Sequence, residues 1–201
     1  MSKRQTSKAP QDPVSLVLPP SLFLGPCPAA SVPSQPFLTR NSITHVLSIG
    51  ANPSVKVDGV TYHRLSLSDF VSSSISKITN AAREIIDGAI APNKNGAPGG
   101  RIRVHCSAGI SRSPMVVAAY LMKRKVTKLR AALGQIVRVR SQILPNAGFL
   151  RQLREMEVEL YGYCSLEVEE LSKREKDRLA LFEEPRAEEQ AERRPEVAAA
   201  A

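Results

Sequence analysis

Aromatic residues are scarce in this chain of 201 residues: they make up 4% of it, and tryptophan is absent. Nucleic-acid surfaces that bind single strands rely on aromatic faces for base stacking, so this scarcity argues against such a surface despite a formal net charge of +9. Cysteines number three, which does not make a disulfide framework, and no Cys/His spacing resembles a zinc site. Cys27 and Cys164 therefore read as ordinary free thiols. No run approaches the roughly 18 apolar residues of a membrane span, and no succession of charged, apolar and small residues makes a signal peptide. The expectation is a soluble intracellular protein, cytoplasmic, nuclear or both. A hydrophobic share of 42% suits one domain of ordinary size plus tails.

Negative charge is also missing over one long interval. From Gly88 to Arg154 there are 13 Lys and Arg and no Asp or Glu. Residues 1–165 carry 21 basic against 8 acidic side chains, whereas residues 166–201 carry 7 against 11. The positive potential is expected to gather around any site within 88–154, where it would attract anionic substrates.

Residues 1–20 are rich in Lys, Ser, Gln and Pro, lack apolar periodicity and read as a flexible basic arm, with order beginning at Ser21. Residues 44–49 and 60–67 read as strands, and Val55–Val57 before Asp58-Gly59 as the first arm of a hairpin. Apolar spacing at Ile75, Ile78, Ala82, Ile85, Ile86 and Ala89 predicts a helix. A loop by composition, residues 91–100, leads into a strand over 101–104. Three further helices are predicted: one over 112–124, one capped by Thr127, and one starting at Pro145 and Asn146. Residues 166–201 read as a charged, frayed or disordered tail, which leaves a catalytic domain over 21–165. Alternating strands and helices predict an α/β fold whose central sheet has four to five mostly parallel strands flanked by helices.

The chemistry is concentrated at residues 105–112, His-Cys-Ser-Ala-Gly-Ile-Ser-Arg. Cys106 and Arg112 bracket a small-residue loop between a strand and a helix. Such a loop can turn successive N–H groups toward one anion, with Gly109 permitting the unusual dihedrals. A phosphate would sit on the helix N-terminus, and Arg112 can add a planar fork of donors. The same field favours thiolate, which makes Cys106 a candidate nucleophile. A general acid is still needed, and Asp69, at the end of the strand over 60–67, is the best-placed carboxylate. Asp58 belongs to a turn and Asp87 lies late in a helix. If the strands run parallel, Asp69 and Cys106 meet at one sheet edge.

These residues resemble the cysteine-dependent phosphatases, specifically the small atypical dual-specificity protein phosphatases. The resemblance covers about residues 21–162 and rests on Leu22–Gly25, Ile43–Leu47, Tyr62–Asp69, Val104–Ser113, Ala119–Met122 and Arg140–Phe149. It implies the cysteine-phosphatase fold and hydrolysis of phosphotyrosine and phosphoserine or phosphothreonine through a phosphocysteine. It further implies that Ser107, Ala108, Gly109, Ile110, Ser111 and Arg112 hold the phosphate, and that Asp69 acts as acid and then base. Ser113 would donate to the departing thiolate, His105 would support Cys106 and Asn146 would brace the loop. No metal or other cofactor is implied, and the partner is a phosphoprotein substrate. Two alternatives stay open: a non-protein phosphate such as an RNA 5′ end or a phosphoinositide, and a non-catalytic phosphoprotein binder. No feature of the sequence assigns an oligomeric state.

Overall fold

The strand that ends in Cys106 lies in the middle of the sheet. The computed structural model describes residues 14–27, 35–53, 56–92 and 95–183. Within them the elements run β1 (Ser15–Leu18), β2 (Leu22–Pro26), α1 (Gln35–Arg40), β3 (Ile43–Ile49), β4 (Thr61–Leu65), α2 (Ser76–Ile90), β5 (Arg101–Cys106), α3 (Arg112–Lys125), α4 (Leu129–Val139), α5 (Ala147–Tyr161) and α6 (Glu175–Leu181). The sheet order is β1-β2-β5-β3-β4. All neighbours pair in parallel except β1 with β2. This is the α/β architecture with a mostly parallel sheet that the sequence predicts.

Burial explains why β5 and α3 form the spine. Five consecutive residues of β5, Ile102 to Cys106, are buried, as expected of a strand covered on both faces. Helix α3 is buried without interruption from Ser113 to Met122, which marks a helix surrounded by packing partners rather than one resting on a surface. Helices α2, α4 and α5 all contact it. Apolar faces at Leu129, Leu133, Ile136 and Val137 and at Phe149, Leu150, Leu153 and Met156 point into this main core. A smaller core of Phe23, Leu38, Ile43 and Val46 lies under α1.

Four expectations need correction. Residues 15–18, assigned to the arm, form edge strand β1: Val17 is buried, and its carbonyl accepts a 2.7 Å hydrogen bond from Gln135 Nε2 of α4. Only residues 1–13 of that arm lie outside the described residues. No hairpin into β4 forms among the described residues, from which Val55 of the predicted arm is left out. Asp58-Gly59 does turn, but the Val57 N–H donates to Tyr62 Oη at 3.0 Å, so a side chain holds this segment instead of a ladder. Thr127 does not cap α4, because its hydroxyl turns back to the Lys125 carbonyl. The tail is docked as far as residue 183, with Leu166, Leu171 and Phe182 buried in the main core and α6 packed on α4. Residues 184–201 lie outside the described residues.

The missing cap of α4 comes from α5. Glu157 is fully buried and accepts hydrogen bonds from the Leu129 N–H at 2.7 Å, the Ser165 N–H at 2.8 Å and Ser165 Oγ at 2.7 Å. A carboxylate at a helix N-terminus satisfies donors that the helix cannot and is favoured by the helix dipole. Replacing it with Ala strands those buried donors, each worth about 1–3 kcal/mol when unsatisfied. Urea unfolding of Glu157→Ala should therefore show a loss of about 3 kcal/mol, whereas an unchanged midpoint would exclude Glu157 as the cap.

Candidate active site

Strand β5 ends in Cys106 and helix α3 begins at Arg112, so residues 107–111 cross the carboxyl edge of the sheet. The loop's curvature is enforced from outside, because the C=O and N–H of one peptide plane point in opposite directions. Four carbonyls of the loop are drawn outward. Ser107 O accepts from the Cys27 N–H at 3.0 Å, and Ile110 O from the Leu144 N–H at 2.7 Å. Arg140 takes the two between them, its Nη2 donating to Ala108 O at 3.1 Å and its Nε to Gly109 O at 2.8 Å. The N–H groups of Ala108, Gly109, Ile110 and Ser111 are thereby turned toward the concave side. Gly109 has φ +68°, and a Cβ there would come within 2.5 Å of the Gly25 carbonyl oxygen. Both the left-handed dihedral and the close approach demand glycine.

Cys106 sits in the mouth of this cradle. Burial pushes its thiol pKa up, but hydrogen bonds from the Ser113 hydroxyl and from the Ser113, Ile110 and Gly109 N–H groups outweigh that, and the net shift is downward. The Ser113 hydroxyl lies 3.3 Å from Sγ. Behind the thiol, His105 is fully buried, with one hydrogen bond inside its own strand and one to the neighbouring strand β3. Its Nδ1 is 3.3 Å from the Cys106 carbonyl, which can only accept, so Nδ1 carries the proton and Nε2 accepts from Ser48 Oγ at 2.8 Å. Burial, helped by the nearby Arg103 charge, holds the His105 pKa down at about 4, so the ring is neutral near pH 7.

The predicted acid reaches the same edge. Strands β3, β4 and β5 are parallel, and Asp69 follows β4. Its Oδ1 accepts from Ser111 Oγ at 2.7 Å and from Asn146 Nδ2 at 2.8 Å, while its Oδ2 lies 3.6 Å from Arg112 Nε. Asn146 is a three-way joint. Its N–H donates to Ser111 Oγ at 3.2 Å, and its Oδ1 accepts from the Phe149 N–H at 2.9 Å to cap α5. Arg112 is oriented by Ser107 Oγ at 2.9 Å and the Leu67 carbonyl at 3.4 Å. A side chain at Gly50, which has φ +81°, would collide with the Arg112 guanidinium. The competing carboxylates are elsewhere: Asp58 is in the turn before β4, and Asp87 binds Tyr120 Oη and Arg124 Nε.

Arg140, Ser48 and Gly50 carry no role in the sequence reading. Ser48 and His105 are register partners on adjacent strands, a signal visible only once the pairing is known. Arg140 opens a segment that carries the family resemblance, but nothing in the sequence assigns it the part of a brace. Among the described residues no cluster of His, Cys, Asp or Glu could hold a metal ion.

A family model described as the catalytic domain of dual specificity phosphatases matches residues 22–159. Human serine/threonine/tyrosine-interacting protein is 34% identical over 144 residues, which are 69% of this chain and 62% of that protein. Mouse dual specificity protein phosphatase 15 is 37% identical over 136 residues, 68% of this chain and 54% of that one. The matched segment thus spans about three fifths and about half of the two relatives' lengths. The crystal structure of human tyrosine phosphatase-like serine/threonine/tyrosine-interacting protein has a TM-score of 0.63 to this chain at 34% identity. That match covers 73% of this chain and 96% of the other.

The Ser113 hydroxyl gives a direct check on the electrostatics. Its removal should raise the Cys106 thiol pKa, because one of the hydrogen bonds that offset burial is lost. The rate of alkylation by iodoacetamide, measured against pH, should rise at higher pH in Ser113→Ala than in wild type. Coincident profiles would mean that the backbone N–H groups alone hold the thiolate.

Proposed function

This chain belongs to the dual specificity phosphatase catalytic-domain family, and from that premise we propose that it hydrolyses phosphotyrosine and phosphoserine or phosphothreonine in proteins through a phosphocysteine. The observation that carries this reading is the buried Cys106 thiol, lowered in pKa by the Ser113 hydroxyl and the Ser113, Ile110 and Gly109 N–H groups. Binding an anion needs the donors, but it has no use for a thiolate among them.

In the first step Cys106 Sγ attacks phosphorus as the phosphorus–oxygen bond to the substrate breaks, and Asp69 gives its proton to the departing oxygen. The loop N–H groups and the Arg112 guanidinium take the three equatorial oxygens, whose spacing suits a planar fork better than an ammonium. In the second step the Asp69 carboxylate takes a proton from water as the water oxygen attacks the phosphocysteine. The Cys106 thiolate leaves against the Ser113 hydroxyl. His105, neutral and hydrogen-bonded at both nitrogens, positions the cysteine's backbone rather than exchanging protons with substrate. Ser111 and Asn146 position Asp69. The reaction is intracellular on this reading, in cytoplasm, nucleus or both.

The name of the serine/threonine/tyrosine-interacting relatives gives a second reading, a phosphoprotein binder without turnover. A non-protein phosphate is disfavoured by Ser107, Ala108, Ile110 and Ser111, which put no extra positive charge in the loop. Phosphotyrosyl and phosphothreonyl peptides, a phosphoinositide and a 5′-triphosphorylated RNA, assayed with chelator present, separate the three.

Cys106→Ser should abolish turnover while phosphopeptide binding stays within about tenfold of wild type, since the donors remain and only the nucleophile is lost. Turnover within tenfold of wild type would exclude covalent catalysis. Asp69→Asn should slow a tyrosyl phosphate by roughly 10²–10⁴-fold, the usual contribution of positioned proton transfer. A substrate with a strongly acidic leaving group should suffer less, because it departs without a proton. Equal losses for both substrates would assign Asp69 to structure.

A further inference from the structure

Beside the sheet edge lies a cleft of about 600 Å³ whose lining includes Val71, Gly148, Arg151 and Arg154 together with Glu169 and Glu170. Its head, at Val71, Ser72, Ala147 and Gly148, lies close in sequence to Asp69 and Asn146. Val71 and Ser72 lie two and three residues after Asp69, and Ala147 and Gly148 follow Asn146, which binds Asp69. The two segments meet at backbone contact, since a Cβ at Gly148 would strike the Val71 carbonyl. Phe70 and Val71 stand exposed on the rim, at 67% and 59%.

Helix α5 runs away from this head, for its far end reaches back to the Met122 carbonyl near the end of α3 through Tyr161 Oη. Arg151 and Arg154 lie on successive turns along that direction. At 1.5 Å per residue, Arg154 is about 10 Å from the helix start, and an extended chain covers that distance in about three residues. The charged residues of the lining differ in hydration. Arg154 is half-buried, with its Nε shielded from solvent and without a hydrogen-bond partner among the described residues, whereas Glu169 and Glu170 are exposed to water. Arg151 pairs with exposed Glu155, at 3.7 Å. The poorly solvated cation gains most from a partner of opposite sign.

We infer that this cleft receives the substrate chain beside the phosphorylated residue and selects an acidic side chain two or three positions away, through Arg151 and Arg154. The inference rests on the protein-phosphatase reading and adds sequence selectivity to it. It assigns α5 a part in specificity separate from its part in holding Asp69.

Phosphotyrosyl peptides with alanine flanks test it, with aspartate or lysine placed singly at each position from four before to four after the phosphotyrosine. Aspartate two or three residues away on one side should raise kcat/KM about three- to fivefold, chiefly through KM, the scale of a partly exposed ion pair. The double variant Arg151→Gln, Arg154→Gln should lose that preference while cleaving p-nitrophenyl phosphate at the wild-type rate. A flat positional profile, a preference for lysine, or a preference that survives the double variant would each overturn the inference, with peptide hydrolysis itself left standing. If p-nitrophenyl phosphate is cleaved and no peptide is, the protein-phosphatase reading falls first and the cleft's role falls with it.

Discussion

A thiolate in a buried site is unfavourable unless donors replace the water it loses, and much of this fold can be understood as the supply of those donors. Burial alone pushes the Cys106 thiol up, and the reversal depends on three N–H groups and one hydroxyl reaching one sulfur. N–H groups converge only if their carbonyls diverge. That is why the Ser107, Ala108, Gly109 and Ile110 carbonyls are each gripped from behind, by Cys27, Arg140 and Leu144. Arg140 is the costliest part of the arrangement, a guanidinium only 5% exposed whose own pKa burial lowers and the charge of Cys106 raises. The Cys106 charge thus offsets part of what burial takes from the charged form of Arg140.

The spine transmits this constraint through the chain. Because α3 is buried on every side, its first turn cannot shift to relax the loop, and close-packed interiors deform little. Helix α5 packs on α3, and its N-cap Asn146 brings Asp69 and Ser111 into one hydrogen-bonded group. The same helix carries Glu157, which caps α4. Helix α4 in turn is followed by Arg140. Asp69, Arg140 and Cys106 come from segments far apart in sequence, yet Gly109 serves both Arg140 and Cys106, and Ser111 joins Asp69 to the same loop.

Legibility in the sequence follows from this division between local and long-range contacts. The Cys106–Ser113 run is contiguous, so its meaning survives without knowledge of the fold. Asp69 is legible because a parallel sheet brings strand ends to one edge, and parallel pairing follows from alternation of strands and helices. Arg140, Ser48 and Gly50 are not legible, since each works through a residue more than 30 positions away. Strand β1 escapes for a related reason. Four residues between a polar arm and Pro19-Pro20 have no local claim to be a strand, and pairing with β2 and packing by Val17 decide the matter. Thr127 is the opposite case, a residue with good capping propensity displaced by a tertiary carboxylate. Propensity is a weak prior wherever a stronger partner is within reach.

The charge imbalance between Gly88 and Arg154 also resolves into separate uses. Arg103 and Arg140 are interior supports, the former donating to the Pro26 carbonyl at 2.6 Å. Arg124 pairs with Asp87, Lys123 bonds Asn80, and the Lys128 ammonium lies over the rings of Tyr161 and Tyr163 at 3.7 and 4.3 Å. Such groups add little to a field over the phosphate loop, because paired and distant surface charges are screened. The sequence reading that gathers this charge at the pocket therefore overstates it. What acts on an anion at close range is Arg112 and the inward N–H groups, with Arg140 behind them. Within residues 107–111 the absence of carboxylates has a simpler physical meaning: a carboxylate inside the cradle would occupy its inward donors, whereas Asp69 enters from another strand and meets Ser111, Asn146 and Arg112.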